Sequence, residues 1–420
     1  MAGRKNESLT GKIDWITVLL YAILVFFGWA VIYSSVYTDE GKSIFNTTVN
    51  SGKQFQWIVA CAIIGAIILI VDSRFYVTFA YPIYGLIVLF VISVIFFGSV
   101  VKGHRNWIHI GSFSMQPSEL AKFSVSLGLA KMLSGLNFDI RKTRDKMKVM
   151  AFIAVPAIII LIPGDAGSAI VFSVFSLVLF REGLEPYYLI IGVTVIILSF
   201  LALIFTPITV AIALTLIAGL FAYQLKRKKI LWYIVGIYLL SVGYVFSVNY
   251  GFNKVLRSHQ KDRINVLLGK EVENGKDWNI RQSIIAVGSG GFWGKGYLNG
   301  TQTKLKFVPE QSTDFIFSSI GEEFGFTGST LLVLVFMALF YRILYLAERQ
   351  RSKFSRVYGY CVVCILFFHF LINMGMAIGV APVIGIPLPF ISYGGSSLLS
   401  FTLLLFVFLR LDTQRYEQMR

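Results

Sequence analysis

Seven ionisable side chains of this sequence lie inside, or at the edge of, long runs of apolar residues. Charge in an apolar interior is costly, so residues of this kind are candidates for function by default. Carboxylates among them could transfer protons, and a cation could bind an anion. The seven residues are Glu119, Lys122, Asp165, Asp314, Glu322, Glu323 and His369.

Asp314 differs from the other six because it opens an apolar run directly after the longest polar stretch of the chain. A carboxylate at such a boundary suits a general base, since it is reached from water and partly shielded from it. The alternative interpretation is helix capping, by Ser312, Thr313 or Asp314 itself.

Two pairs of charged residues allow both a structural and a functional interpretation. Glu119 and Lys122 are three residues apart, so they share a helix face and could pair with each other or bind a ligand. Glu322 and Glu323 are adjacent and therefore point to different faces. The favoured interpretation of this second pair is structural, with one carboxylate on a basic partner and the other lining a cavity.

The last two candidates have simpler interpretations. Asp165 lies in a turn between two apolar runs, where an acid could cap the following helix. His369 lies among Phe367, Phe368 and Phe370, with no ligand partner nearby in the sequence. We therefore expect His369 to be a packed core residue.

The composition places these residues in a membrane protein. The chain has 420 residues, of which 56% are hydrophobic and only 14% are charged, and its mean hydropathy is +0.72. Soluble proteins are about 25% charged, and a membrane-spanning helix needs about 20 apolar residues. The sequence predicts an all-α polytopic membrane protein with about 12 transmembrane helices, as a single domain over 1–420. Continuous apolar runs exclude a transmembrane β-barrel.

The apolar runs and the basic clusters predict a topology. The runs are 14–35, 54–72, 76–98, 119–135, 149–163, 167–181, 187–206, 208–225, 231–250, 314–343, 357–381 and 390–410. An even number of spans puts both termini on one side. Lys and Arg cluster at 141–144, 226–229 and 349–353, and the positive-inside rule makes that side the cytoplasm.

Residues 251–313 form one large polar loop, which this topology places outside the cytoplasm. The loop holds ten Lys and Arg against five acids. Such a surplus could attract a phosphate-bearing ligand, although incidental solvation is the alternative. A nucleic-acid role has no motif behind it and does not fit the topology.

Glycine and proline gather at two places, at 288–296 inside this loop and at 382–395 between the last two spans. Non-helical backbone at membrane depth is tolerated only where protein buries it or water reaches it. Both stretches therefore predict a cavity on the outer side.

Several motifs together resemble the SEDS proteins, the RodA/FtsW group. The first are Asn106-Trp107-Ile108 and the block 116–122 (QPSELAK). The others are 282–291 (QSIIAVGSGG), 294–296 (GKG), 309–310 with 313–317 (PE and TDFIF), and 385–397 (GIPLPFISYGGSS). The tripeptide 300–302 (GTQ) is similar to the elongation branch of this family rather than to the division branch.

The resemblance implies a peptidoglycan glycosyltransferase that polymerises lipid II and releases undecaprenyl pyrophosphate. It also implies a multi-pass protein of the bacterial inner membrane, an active site on the outer face and a class B penicillin-binding protein as partner. The family's essential aspartate falls on Asp314, and its important tryptophan falls on Trp107. The family norm is ten spans, so the segment 208–250 is interpreted as an inserted transmembrane hairpin.

The implied reaction assigns roles to further residues. Lys295, Arg281, Arg105 and Lys122 are the candidates for holding the pyrophosphate. Backbone N–H groups around Gly290 could also bind phosphate, and Trp107 could stack on a sugar or the lipid. The remaining substrate-binding candidates are Glu119, Glu310 and Ser396. No cofactor is assigned, and the sequence leaves open whether a divalent cation bridges Asp314 or Glu310 to the pyrophosphate.

Two departures from the family pattern affect these assignments. Ser312 replaces the histidine that usually precedes the Thr-Asp pair, so any role of that imidazole is absent or supplied elsewhere. Residues 163–167 (PGDAG) keep Asp165 and Gly167 in register but change their neighbours. Two other functions stay open at this point, a lipid II flippase and a non-catalytic scaffold for the penicillin-binding protein.

Overall fold

The structure is a computed structural model that describes residues 9–37, 43–101, 104–111, 113–225, 228–256, 261–262, 264–265, 268 and 278–414. The chain separates into two compact units, Met1–Leu184 together with Trp278–Arg420, and Glu185–Asp277. The single domain over 1–420 stays a prediction. Of the ten basic residues counted in the polar loop, Arg257, Arg263, Lys270 and Lys276 lie outside the described residues.

Helices make up most of the first unit, and those that correspond to predicted runs begin and end within six residues of them. They are α1 (Leu9–Lys12), α2 (Trp15–Val36), α3 (Asn50–Ile70), α4 (Ser73–Thr78), α5 (Ala80–Phe97), α6 (Pro117–Leu133), α7 (Thr143–Leu161), α8 (Ala166–Val171), α9 (Phe175–Arg181), α13 (Trp278–Ser289), α14 (Thr301–Lys304), α15 (Ile316–Glu348), α16 (Lys353–Ala377) and α17 (Gly395–Thr413). The numbers α10 to α12 belong to the second unit. Local signals set several starts: Asp14 caps α2 by accepting from Thr17 N, and Pro117 is the first residue of α6.

In its described residues, the second unit contains three long helices and a π-helical turn, Gly251–Val255. The long helices are α10 (Tyr187–Ile204), α11 (Pro207–Leu225) and α12 (Lys228–Tyr250). Leu198, Ala202, Val210 and Val245 form its buried core. Hydrogen bonds between the hydroxyl groups of Ser199 and Tyr244, at 2.7 Å, and of Thr215 and Tyr238, at 2.9 Å, connect the helices. The predicted hairpin 208–250 corresponds to α11 and α12. That this hairpin is an addition to the family's fold stays a prediction.

Nine helices within the described ranges are long and apolar enough to cross a membrane, which confirms the polytopic membrane fold. They are α2, α3, α5, α10, α11, α12, α15, α16 and α17. The other three predicted spans also form helices, but less regular ones. α6 has 17 residues, α7 begins with charged residues and contains Pro156, and the run 166–181 is divided by a 3-10 turn at Phe172–Val174.

A small antiparallel sheet joins α5 to α6, which the all-α prediction did not include. Its strands are β1 (Ser99–Val101), β2 (His104–Ile110) and β3 (Phe113–Met115), in the order β1-β2-β3. Gly111, with φ +62°, lies in the tight connection between β2 and β3, a conformation that favours glycine. The strands hold only three to seven residues each, so their periodicity is too short to detect in the sequence.

The core of the first unit surrounds α17, which packs on α3, α6 and α16. Glycines on the neighbouring helices let its aromatic side chains approach closely. A methyl group on Gly65 would meet the ring of Phe406, and one on Gly359 would meet the ring of Phe408. Small residues at such crossings are typical of helix packing in membranes.

The glycine-rich segment 288–296 folds back against the first turns of α15. Backbone N–H groups of Lys295 and Gly296 donate to the carbonyls of Glu322 and Glu323, at 3.0 and 2.9 Å. α15 itself bends at Gly325, whose φ is +64°. The glycines of this segment therefore allow its backbone to approach α15 closely, and the segment is not a free linker.

Candidate functional site

Asp314 lies in the turn that leads into α15, and the backbone around it is fixed by the segment 384–393. Ser392 Oγ donates to the Thr313 carbonyl at 2.7 Å, and Tyr393 N donates to the Ser312 carbonyl at 2.8 Å. Asn373 Nδ2 donates to the carbonyl of Asp314 itself at 2.9 Å. Asp314 is half-buried, so these bonds fix the backbone of a residue that solvent partly reaches.

The capping interpretation of this turn is wrong. Phe315 occupies the N-cap position of α15, so none of Ser312, Thr313 and Asp314 is its N-cap residue. Thr313 Oγ1 instead donates to Glu310 Oε2 at 2.9 Å. Ser312, which stands in the place of the family's histidine, accepts a hydrogen bond of 3.2 Å from Asn50 Nδ2.

Asp165 connects three elements near Trp107. Its Oδ2 accepts from Gln116 Nε2 at 2.8 Å and from Asn106 Nδ2 at 3.2 Å. Its Oδ1 accepts from Ser168 N at 2.9 Å, so it caps α8 as predicted. The same carboxylate thus holds β2, the start of α6 and the start of α8 together.

Trp107 is the neighbour of Asn106 on β2 and is half-buried. Its carbonyl accepts a hydrogen bond of 3.0 Å from Ser99 Oγ on β1. Arg105 lies two residues before it and is exposed. A small cavity lies beside this strand, with Asn106, Ser118 and Asp165 forming its polar side and Val91, Val94, Ile160 and Pro163 its apolar side.

The Trp107 region and Asp314 are linked through the segment that begins at Ile384. Gly167, in the first turn of α8, packs so closely on the Ile384 carbonyl oxygen that a methyl group there would overlap it. The next residue, Gly385, has φ +74°, and a methyl group on it would lie 3.6 Å from Asp314 Oδ2. Tertiary structure therefore brings together motifs that are about 200 residues apart.

Glu119 and Lys122 form the ion pair that was one of their two interpretations. Lys122 Nζ lies 2.8 Å from Glu119 Oε2, and both side chains are buried. Lys122 Nζ also lies 2.9 Å from His369 Nε2. His369 is buried as expected, but both of its ring nitrogens make hydrogen bonds, so it is more than a packing residue.

Lys295 is the partner of Glu322. The distance from Lys295 Nζ to Glu322 Oε1 is 2.8 Å. Glu322 also accepts from Gln302 N and Thr303 N, both at 2.9 Å. The completely buried carboxylate thus anchors the segment 295–303 on α15. This agrees with the structural interpretation of Glu322, and Glu323 accepts from Ser34 Oγ on α2.

The remaining predicted residues lie at varied depths. Arg281 on α13 and Glu310 are exposed, Gly290 is buried against the Gly321 carbonyl, and Ser396 is buried in the first turn of α17. The part of the chain that the structure describes contains no group of three His, Cys, Asp or Glu side chains that could hold a metal ion. The substrate-binding role of each of these residues stays a prediction.

Sequence reasoning missed Asn373 and Ser392, which hold the backbone at Asp314. Asn373 had a usable signal, because it is an amide inside an apolar run and the cost of burying it demands a partner. Ser392 lies within the recognised block 385–397 and carries no separate signal, since serine is common in turns.

The fold and the site define a class of protein: a polytopic membrane protein with a half-buried aspartate held at the beginning of one long helix. The chain belongs to the FTSW_RODA_SPOVE family of cell cycle proteins, whose family model matches residues 14–227 and 206–417. The SEDS resemblance is therefore confirmed.

Individual relatives agree with this family. The chain is 32% identical to peptidoglycan glycosyltransferase RodA of Treponema pallidum (strain Nichols), over 92% of this chain and 94% of the relative. It is also 32% identical to peptidoglycan glycosyltransferase MrdB of Escherichia coli (strain K12), over 78% of this chain and 76% of that protein. With the probable peptidoglycan glycosyltransferase FtsW of Shewanella sediminis the identity is 28%, over 98% and 90%.

Solved structures share the fold. One is a chain of a peptidoglycan synthase complex that coordinates polymerization and crosslinking, with a TM-score of 0.70, 23% identity and coverage of 96% of this chain and 99% of that one. Another is the crystal structure of the rod shape determining protein RodA of Thermus thermophilus, with a TM-score of 0.63 and 22% identity. It covers 96% of this chain and 98% of the RodA chain.

Proposed function

We propose that this protein is a peptidoglycan glycosyltransferase of the bacterial inner membrane that polymerises lipid II, with Asp314 as its general base. The relatives at 32% identity carry the name of that activity. The observation that carries the assignment of Asp314 is its fixed backbone: hydrogen bonds from Asn373, Ser392 and Tyr393 hold three successive carbonyls, and the residue is only half-buried.

The reaction needs one base. A sugar hydroxyl of the acceptor attacks the anomeric carbon of the donor, and the bond from that carbon to the lipid pyrophosphate breaks. The hydroxyl proton passes to the Asp314 carboxylate, and the pyrophosphate leaves with the bonding electrons. An α-linked donor that gives a β-linked product is inverted, so a single base suffices and no nucleophilic carboxylate is required.

Cations near the leaving group would stabilise its developing charge. Arg105 and Arg281 are the exposed cations among the predicted residues. Lys122 is buried and paired, and Lys295 is paired with Glu322. These contacts favour a structural role for the two lysines, and the exposure of the two arginines leaves them as candidates for phosphate binding.

The test is polymerisation of labelled lipid II by the purified protein, with and without a class B penicillin-binding protein. We expect glycan strands from the unaltered protein. Loss of a general base lowers a rate by about 10²–10⁴-fold, so Asp314→Asn should fall in this range while its folding is unchanged. Asp72→Asn is the matched control, because Asp72 is an acid that caps α4 and asparagine also caps helices.

The same experiment separates the other two functions. A flippase would move lipid II between the faces of a vesicle without forming polymer. A non-catalytic scaffold would leave lipid II unchanged and would still bind the penicillin-binding protein. A stably folded Asp314→Asn protein with normal polymer yield would remove Asp314 from the mechanism.

A further inference from the structure

One face of α16 carries two buried polar residues, His369 and Asn373, in a run that is otherwise apolar. They are four residues apart, so their side chains point in the same direction. Their exposed fractions are 1% and 0%. Buried polar groups need hydrogen-bond partners. Asn373 Oδ1 has none within the described residues, but His369 Nδ1 and Asn373 Nδ2 both bond to backbone carbonyls near Asp314.

Asn373 joins the two backbone segments that meet at Asp314. One hydrogen of its Nδ2 goes to the Asp314 carbonyl at 2.9 Å, and the other goes to the Ile386 carbonyl at 2.8 Å. Both donor hydrogens of the amide are therefore used. The Asn373 side chain therefore bridges the turn before α15 and the segment 384–388.

His369 holds the same segment one residue further along. Its Nδ1 lies 3.2 Å from the Pro387 carbonyl oxygen, and its Nε2 lies 2.9 Å from Lys122 Nζ. A carbonyl only accepts and a lysine ammonium only donates, so the partners assign a neutral ring with its proton on Nδ1. The Glu119–Lys122 pair thus fixes the orientation in which His369 donates to Pro387.

The segment 384–388 lies next to the Asp314 side chain. Gly385, between the Ile384 and Ile386 positions, lies close enough that a methyl group on it would be 3.6 Å from Asp314 Oδ2. A shift of this segment would therefore reach the carboxylate as well as its backbone.

We propose that Asn373 and His369 are positioning residues for Asp314. Asn373 acts through its own bond to the Asp314 carbonyl, and His369 acts through the Pro387 carbonyl and the facing segment. The proposal rests on the proposed role of Asp314 as general base. A misplacement of about 1 Å lowers a rate by about 100-fold, so the two residues contribute to turnover without touching substrate.

Two substitutions of His369 separate its two contacts. The amide nitrogen of His369→Asn takes the place of Nδ1 and keeps the donor to Pro387, but it loses the acceptor for Lys122. The side-chain oxygen of His369→Gln takes the place of Nε2 and keeps that acceptor, but it loses the donor. Both remove one buried hydrogen bond, so a merely structural role predicts similar losses of turnover. Positioning predicts that His369→Asn keeps turnover within about threefold and His369→Gln loses about tenfold or more.

Asn373→Ala has a matched control on the same helix. Tyr358→Phe removes another fully buried hydrogen bond of α16, the 3.2 Å bond from Tyr358 Oη to the Leu404 carbonyl, three turns away from His369. We expect Asn373→Ala to lower turnover per folded molecule about 100-fold and Tyr358→Phe to leave it unchanged. If Asn373→Ala does not fold, Asn373→Ser, which keeps one donor, takes its place with a smaller loss in the same direction.

The outcomes distinguish this inference from the proposed function. Polymerisation of labelled lipid II is measured for all variants at equal amounts of folded protein, checked by thermal unfolding in detergent. Normal activity of Asp314→Asn would overturn the proposed function and, with it, this inference. If Asp314→Asn is inactive while the folded Asn373 and His369→Gln variants match the unaltered protein, the inference is overturned and the proposed function stands. Equal losses in His369→Asn and His369→Gln would also overturn the role given to Pro387.

Discussion

The Lys295 ammonium lies 2.8 Å from Glu322 Oε1, and the Glu322 side chain is completely buried. One of the cations that the sequence predicts for phosphate binding is therefore already paired with a carboxylate. Backbone and side-chain donors of Thr303 complete the hydrogen bonds of that carboxylate. The pair attaches the loop that follows α13 to the first turns of α15.

Lys295→Met tests whether this lysine is structural. We expect the free energy of unfolding to fall by about 1.5–3 kcal/mol, because a hydrogen bond to a buried charge is lost. The KM for lipid II should change little. Thermal unfolding in detergent and a substrate titration measure the two effects. An unchanged stability together with a raised KM would instead support the phosphate role of Lys295.

Asp165→Asn tests the connection between Trp107 and the helices. Gln116 and Asn106 both donate N–H groups to the Asp165 carboxylate. The amide of asparagine would place its own N–H donor against one of these donors. The expected cost is about 1–3 kcal/mol in the free energy of unfolding. Ser168→Ala, which removes one of the donors to Asp165 and keeps the carboxylate, is the milder comparison. Equal stability of Asp165→Asn and the unaltered protein would contradict the connecting role of Asp165.

Gly167→Ala tests the close contact between α8 and the segment before Asp314. The added methyl group overlaps the Ile384 carbonyl oxygen, and overpacking of this kind costs about 1–3 kcal/mol. Polymerisation should fall with it, because Ile384 directly precedes Gly385 beside the Asp314 carboxylate. Gly192→Ala on α10 is the control, since nothing lies within 4 Å of a methyl group there, and it should be neutral or slightly stabilising. Wild-type activity of a folded Gly167→Ala protein would argue against this link.

Asp14 gives a prediction of pH dependence. Burial acts to raise the pKa of its carboxyl, but hydrogen bonds from Arg342 and Thr17 outweigh burial, so its pKa lies below the ordinary value. A lowered pKa in the folded protein stabilises it at pH values above the ordinary carboxyl pKa of about 3.9. That contribution is lost as the pH falls through the lowered pKa.

Asp14→Asn removes this contribution and is the direct test. Asparagine still caps α2, so the loss reports the contact with Arg342, about 1.5–3 kcal/mol at neutral pH. The stability difference from the unaltered protein, followed by thermal unfolding, should shrink in acid. A difference that does not depend on pH would show that the ion pair is not its cause.

The features of this protein that could be predicted are those that depend on residues close together in the sequence. The apolar runs became helices because hydrophobicity over about 20 residues is a local property. Asp165 capped α8 because a cap acts within three residues. The three-stranded sheet was missed because its strands are short, and the capping interpretation of Asp314 failed because Phe315 occupies that place.

The sequence by itself determined the class of fold, the family and Asp314 as the residue to examine. Long apolar runs and contiguous motifs are local features, so they can be identified without knowing which residues are in contact. Only the tertiary structure decided which charges are paired. Lys122 meets His369 across 247 positions, and Asn373 meets Asp314 across 59. Contacts of this kind depend on how α6, α15 and α16 pack, and helix packing is a property of surfaces that a periodic apolar sequence does not specify.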